Sequence, residues 1–291
     1  TFTPASPLLS NTNYFIQAFS ITGLAANQLS FSSSFRTGAG TDIAGPTIIA
    51  VSPPANAVNV PVNARVTVQL NEPVSTVSVG DNALTLTQSG TPVAGTVTPG
   101  NDRTSLTLAP TNPLATNSNY TINVSSLTDL AGNVMTPFSS GFTTNPSSTA
   151  DTTSPSVVSV SPLNNATGVA ITTQIVLTFN EVIDATTINS NTVNVNIDNF
   201  SGQVPGSYAV NGSVVTFTTA TPLPANVRVR VSVFNVSDLA GNLNNFFQST
   251  FVTTADTPDT TPPQVVMVTP SDGATNIIPN TPVVLTFSEP L

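Results

Sequence analysis

The chain has no cysteine, histidine, tryptophan or lysine, and its five cations are all arginine. Charged residues make up 7% of the 291 positions, where about 25% is usual for soluble proteins. Each absence removes a class of chemistry. Without His or Cys, the commonest zinc, copper and iron–sulfur sites have no ligands. The same gap removes the Ser-His-Asp triad and the usual general base of nucleophilic catalysis. A P-loop needs a lysine that is not there. A net charge of −9 with only five arginines leaves no footprint for nucleic-acid phosphates. No apolar run approaches the roughly 20 residues of a membrane helix, so no membrane insertion is expected in this segment, and no signal peptide opens it. The lack of cysteine leaves the redox compartment open.

What is present is polar but uncharged. Ser, Thr and Asn number 110, more than a third of the chain, beside 39% hydrophobic residues and 15 Phe. That apolar content is enough to build a core and sets the chain apart from disordered compositions.

The chain also repeats itself. Val51-Ser52-Pro53, Val160-Ser161-Pro162 and Val268-Thr269-Pro270 follow one another at steps of 109 and 108 residues. Leu70-Asn71-Glu72-Pro73, Phe179-Asn180-Glu181-Val182 and Phe287-Ser288-Glu289-Pro290 keep the same steps, and Asp129-Leu130-Ala131-Gly132-Asn133 returns 109 residues later as Asp238-Leu239-Ala240-Gly241-Asn242. A period of about 108 residues is the size of a domain, not of a solenoid unit. The frame predicts complete domains over 42–147 and 148–256, the C-terminal part of a domain over 1–41 and the N-terminal part of another over 257–291. Both ends therefore fall inside a repeat, and the chain reads as a window of a longer tandem array.

Each complete repeat reads as all-β. In the second, alternating runs at Val157–Ser161, Ile175–Phe179, Val193–Ile197, Ser207–Val210, Val214–Thr218, Val229–Val233 and Ser249–Thr253 are rich in Val, Ile, Thr and Phe and bounded by Asn, Gly, Pro and Asp. Seven short strands in about 105 residues fit an Ig-like β-sandwich. Tyr14 and Tyr120, each six residues after a Leu and just before a predicted sixth strand, are placed to make a tyrosine corner or to sit half-buried in the core. In the second complete repeat Leu223 is followed by Val227 and Arg228, with no tyrosine. Arg228 and Arg230 alternate on one strand face and read as charges protecting a sheet edge.

The motifs Val160–Pro162, Leu177–Val182, Pro113–Val124, Asp238–Asn242, Phe251–Thr253 and Asp259–Pro263 together resemble the bacterial Ig-like domain first described in S-layer proteins. The resemblance covers nearly the whole chain. It implies the sandwich fold and a place among S-layers, adhesins, surface fibres or spacers beside secreted enzymes. It does not choose among them, because a fold does not fix a function.

The sparse carboxylates are not scattered. Glu72, Glu181 and Glu289 share one position of the frame; Asp42, Asp151 and Asp259 share a second, in the linker before each domain; Asp129 and Asp238 share a third. In a sandwich the first strand leaves the N-terminal pole, the second returns to it and the sixth runs toward it. Linker Asp, second-strand Glu and sixth-loop Asp thus converge at each junction. Carboxylates that close repel unless a cation sits among them, and hard oxygen donors beside Asn and backbone carbonyls suit Ca²⁺. The expected set is Asp151, Glu181, Asp238 and Asn242 at one junction and Asp42, Glu72, Asp129 and Asn133 at the preceding one, with Asp259 and Glu289 beginning the next. In the first partial repeat Leu24-Ala25-Ala26-Asn27 replaces the Asp-containing loop, so a ligand is lost there. The competing reading is structural: Asp238 in an Asx-turn with Gly241 at positive φ, and Asp151 in an ordinary linker turn.

Three function classes follow. The first is a structural extracellular array, a bacterial surface fibre, filament or sheath, in which low charge permits self-association with copies of itself. The second is an adhesin stalk or binding module recognising a surface glycan or protein, although the chain has no Trp and only three Tyr. The third is the spacer region of a secreted enzyme. No enzymatic activity is expected of the chain itself, since an active site is not normally duplicated at every domain boundary.

Overall fold

A computed structural model describes residues 4–22, 28–80, 82–198, 202–254, 262–275 and 283–288. Strands β1 (Asn13–Thr22) and β2 (Gln28–Arg36) form an antiparallel hairpin. The first complete repeat contains β3 (Ile48–Ser52), β4 (Ala57–Val60), β5 (Val66–Leu70), β6 (Leu84–Gln88), β7 (Thr91–Pro92), β8 (Gly95–Pro99), β9 (Ser105–Pro110), β10 (Asn119–Val124) and β11 (Phe138–Thr144). The second contains β12 (Val157–Ser161), β13 (Ala166–Val169), β14 (Ile175–Phe179), β15 (Val193–Ile197), β16 (Gly206–Asn211), β17 (Val214–Thr219), β18 (Arg228–Val233) and β19 (Phe247–Thr253). A last hairpin pairs β20 (Val265–Thr269) with β21 (Val284–Phe287).

Each complete repeat folds as two sheets around its own core. The orders are β3-β5-β9-β8 and β4-β11-β10-β6-β7 in the first, and β12-β14-β17-β16 and β13-β19-β18-β15 in the second. Alternation along the strands decides which side chains face inward. Val66, Val68 and Leu70 of β5 are buried while their neighbours are not, and Ile175, Leu177 and Phe179 of β14 repeat the pattern. Opposite them lie Tyr120, Ile122 and Val124 in one domain and Val229, Val231 and Val233 in the other. Each such side chain contributes about 1.5–3 kcal/mol on full burial. The chain is nearly all-β, and among the described residues no helix is long and apolar enough to cross a membrane.

Three of the expected strands of the second repeat keep their bounds and the other four lengthen by one or two residues each. An eighth, β13, pairs in parallel with β19, as β4 does with β11. It follows Asn165 and contains Gly168, both at positive φ, so its sequence reads as a turn. Arg228 and Arg230 do not guard an edge. β18 is an inner strand whose outer face they occupy, and Arg230 pairs with Asp198 at 2.8 Å.

The tyrosine corners form: the Tyr120 hydroxyl accepts the Ala115 N–H at 2.7 Å and the Tyr14 hydroxyl accepts the Leu9 N–H at 2.9 Å. A threonine at the end of the closing strand holds the same crossover in the three copies that contain it. Thr37, Thr144 and Thr253 donate to the carbonyls of Leu9, Ala115 and Pro224 at 2.6–2.7 Å. Where the second domain lacks the tyrosine, this threonine remains.

Candidate functional site: the domain joint

The recurring carboxylates meet. Oxygens of Asp42, Glu72 and Asp129 lie within 4.8 Å of one another, and so do those of Asp151, Glu181 and Asp238. Asp259 and Glu289 lie outside the described residues, as does the Leu24–Asn27 segment.

The positions follow from local structure. Asn180 ties the end of β14 to the chain entering β12: its Oδ1 accepts the Ser156 N–H at 2.6 Å and its own N–H donates to the Ser156 carbonyl at 3.0 Å. Asn71 does the same with Thr47. Glu181 and Glu72 are thereby held next to the incoming linker. Asp238 folds its loop around its own carboxylate, Oδ1 accepting N–H groups of Ala240, Gly241 and Asn242 at 2.7–2.8 Å and Oδ2 accepting Asn242 Nδ2 at 2.7 Å. Gly241 sits at φ +91°, so the Asx-turn is real and coexists with the cluster. Asp129 and Asn133 repeat the pairing at 2.9 and 2.7 Å. Asn242 and Asn133 spend their amide nitrogens on these bonds and on the Asp151 and Asp42 carbonyls, each at 3.2 Å; their amide oxygens are what an ion could use.

Electrostatics separate the members. Burial, then Asp151 and Asp238, push the Glu181 carboxyl up to about 7. Burial, then Asp42 and Asp129, raise Glu72 as well. Burial also works to raise Asp129, but hydrogen bonds from Asn133, Gly132 and Ala131 outweigh it and leave the group below the ordinary range. The Asp of the sixth-strand loop is hydrogen-bonded by its own loop at each joint, while the Glu beside it is disfavoured as an anion.

The second cluster lies within an interdomain joint whose contacts with the preceding domain sequence reasoning missed. Asn63 of the first domain grips the peptide of Asp151 from both sides, accepting its N–H and donating to its carbonyl, each at 2.9 Å. The Arg65 N–H donates to the Leu239 carbonyl at 2.9 Å. Leu239 is 5% exposed and belongs to the first domain's core cluster. Asp184, 7% exposed, caps the 3-10 turn Ala185–Thr187, which packs on β3 and β5 of the other domain. Burial raises its pKa, opposed by the hydrogen bonds from Thr186. Asn63 and Asp184 were invisible to the repeat frame because they do not recur: Thr172 and Ser75 hold those positions. A cleft of about 470 Å³ opens beside Asp151, Glu181 and Leu239.

The model of a family described as bacterial Ig-like domain matches residues 42–144, 151–253 and 259–291. No curated protein matches the chain. Among solved structures, PcoC, a methionine-rich copper resistance protein from Escherichia coli, is 21% identical over 35% of this chain and 100% of its own, with a TM-score of 0.31. Domains 1–6 of the surface layer protein SbsC are 15% identical over 78% of this chain, with a TM-score of 0.30, and the match spans 27% of that protein. An L,D-transpeptidase from Mycobacterium smegmatis is 16% identical over 65% of each chain, with a TM-score of 0.25. At these identities and scores the likeness carries no functional argument.

Proposed function

Because the chain belongs to the bacterial Ig-like domain family, we propose that it is a structural extracellular protein, a stiff tandem array in a bacterial surface fibre, filament or sheath. The observation that carries this reading is the joint: Leu239 of one domain sits in the core of the preceding one while Asn63 clamps the linker between them. A flexible tether would need neither. The domains project or span, and a surface rich in hydroxyl and amide groups stays wetted with little charge to oppose packing against copies of the chain. The recurrent carboxylates are read as parts of the joints, and no catalytic role is proposed for the chain.

Calcium is part of the proposal. Three oxygens of hard donors within 4.8 Å, a Glu whose ionisation is disfavoured by its neighbours and a cleft open to solvent fit a divalent cation. Asp151, Glu181 and Asp238 would hold it at one joint and Asp42, Glu72 and Asp129 at the other, and its charge would cancel their repulsion and pin linker to domain. Small-angle scattering of the 291-residue chain in chelator and in millimolar calcium tests both parts. A fixed interdomain separation is expected in either buffer, with a gain in protease resistance in calcium. Scattering of freely jointed domains would overturn the array; identical scattering and proteolysis in the two buffers would overturn the ion alone.

A further inference from the structure

Two further clefts adjoin at the joint. Gln69 and Thr186 line both, where the Ala185–Thr187 turn packs on β3 and β5. They enclose about 690 and 320 Å³, and ligand clefts of about 300–1,000 Å³ are found preferentially at domain interfaces. One wall of each comes from the first complete domain and the other from the second. Asp151 and Glu181 line neither.

The larger cleft has two unlike sides. Ile49, Ile188, Tyr208 and Val210 make one side apolar. The Tyr208 ring is fixed there: its hydroxyl donates to the Val193 carbonyl at 2.6 Å, and its centroid lies 4.9 Å from that of Phe217. Gln69, Asp102, Ser190 and Asn191 make the other side polar. Among the described residues the Asn191 amide and the Ser190 hydroxyl have no hydrogen-bond partner. Gln69 spends only its Nε2, on the Thr104 hydroxyl at 3.0 Å. Hydrogen bonds from Thr104 hold the Asp102 carboxyl below its ordinary range, so it stays an acceptor. None of these groups takes part in the contacts of Asn63, Arg65 and Leu239 that fix the joint.

The polar side is also particular to this joint. Leu106 pairs with Pro99, whereas its counterpart Val215 pairs with Val210. The connection carrying Asp102 is therefore two residues longer than the one in the second domain. By the 109-residue step, Thr178 stands where the first domain has Gln69.

We propose that the larger cleft is a binding site for a neutral oligosaccharide, which the smaller cleft continues. A sugar ring has C–H faces and a rim of hydroxyls that both donate and accept. The cleft offers an apolar side to the first. To the second it offers the Gln69 and Asn191 amides, which also do both. An anionic ligand would meet Asp102 with no cation lining the larger cleft, and like charges repel. A wholly apolar ligand would cover Gln69 and Asn191 without pairing them. The proposal rests on the fixed joint of the array reading, because the joint holds the two walls at one spacing.

The test is a titration of the ¹⁵N-labelled 291-residue chain, followed by amide shifts. The probes are the tetramers of glucose, mannose, galactose and N-acetylglucosamine, with tetragalacturonate as the anionic comparison. At least one neutral tetramer should shift the Gln69 and Asn191 amides saturably, and tetragalacturonate should not. Asn191 is exposed and its side chain bonds nothing in the chain, so Asn191→Ala should keep the fold. That variant and Gln69→Ala should each raise the Kd fivefold or more. Asn82→Ala, the same change at the corresponding position of the first domain, should leave it unchanged. Asn63→Ala, which frees the two walls, should weaken binding as well. No saturable shift with any neutral tetramer, shifts confined to other parts of the chain, or a Kd untouched by Asn191→Ala and Gln69→Ala would each overturn the site. The array reading stands or falls separately, on the fixed interdomain separation seen by scattering without sugar.

Discussion

Glu181 is disfavoured as an anion by burial and by Asp151 and Asp238, which raise its pKa from the ordinary 4.5 to about 7. The consequence for stability has a definite sign. Between those two values the unfolded chain has released the proton and the folded chain still holds it, so folding loses ground as pH rises through that window. In chelator, the second domain's unfolding midpoint should therefore fall from pH 5 to pH 8, and Glu181→Gln should flatten the slope. Thermal scans at the two pH values check this, and a slope that persists in the variant would remove Glu181 as its origin. Gly241 and Gly132 give a second contrast. Both need a left-handed backbone, which costs an L-residue about 1–2 kcal/mol. A Cβ on Gly132 would meet nothing within 4 Å, whereas one on Gly241 would lie 3.1–3.4 Å from the Arg65 side chain across the joint. Gly132→Ala should lose only the backbone term. Gly241→Ala should lose that and loosen the joint, seen as a broader scattering profile; equal profiles for the two variants would contradict this.

At the level of strands and their crossovers, the closing-strand threonine takes on different weight in the two domains. Thr144 accepts the Ser118 N–H at 3.0 Å and donates to Ala115, but Tyr120 also holds Ala115. Thr253 accepts the Val227 N–H at 3.0 Å and donates to Pro224 with no tyrosine beside it. A net hydrogen bond contributes about 0.5–1.5 kcal/mol and a buried group left unpaired costs about 1–3 kcal/mol. Thr253→Ala should therefore speed amide exchange at Val227 more than Thr144→Ala does at Ser118, by several-fold or more; equal effects would show that the tyrosine adds nothing. The sequence made most strands legible because each buries one face and so alternates. β4 and β13 stayed hidden for a physical reason. They are four residues long, follow an Asn in the left-handed region and pair in parallel with the distant closing strand. Nothing local distinguishes them from a turn.

Across the whole molecule, the carboxylate clusters could be read in advance because duplication printed them two or three times in a chain with few charges. The joint that surrounds the second cluster could not, because its keys, Asn63, Arg65 and Asp184, occur once, where the other complete domain has Thr172, Gln174 and Ser75. That difference predicts unequal joints. Asn63 offers a two-ended amide that meets both the N–H and the carbonyl of Asp151; the single, shorter hydroxyl of Thr172 cannot span the same peptide. Asn63→Ala removes two hydrogen bonds, about 1–3 kcal/mol together, from a contact that belongs to neither sandwich's strand ladder. The two cores should keep their unfolding midpoints while the fixed interdomain angle gives way to a distribution, measured by scattering. Asn63→Thr should behave like the alanine variant if reach is what matters. Should either variant scatter like the native chain, the clamp would be incidental and the stiffness would rest on Leu239 alone, which Leu239→Ala would then expose.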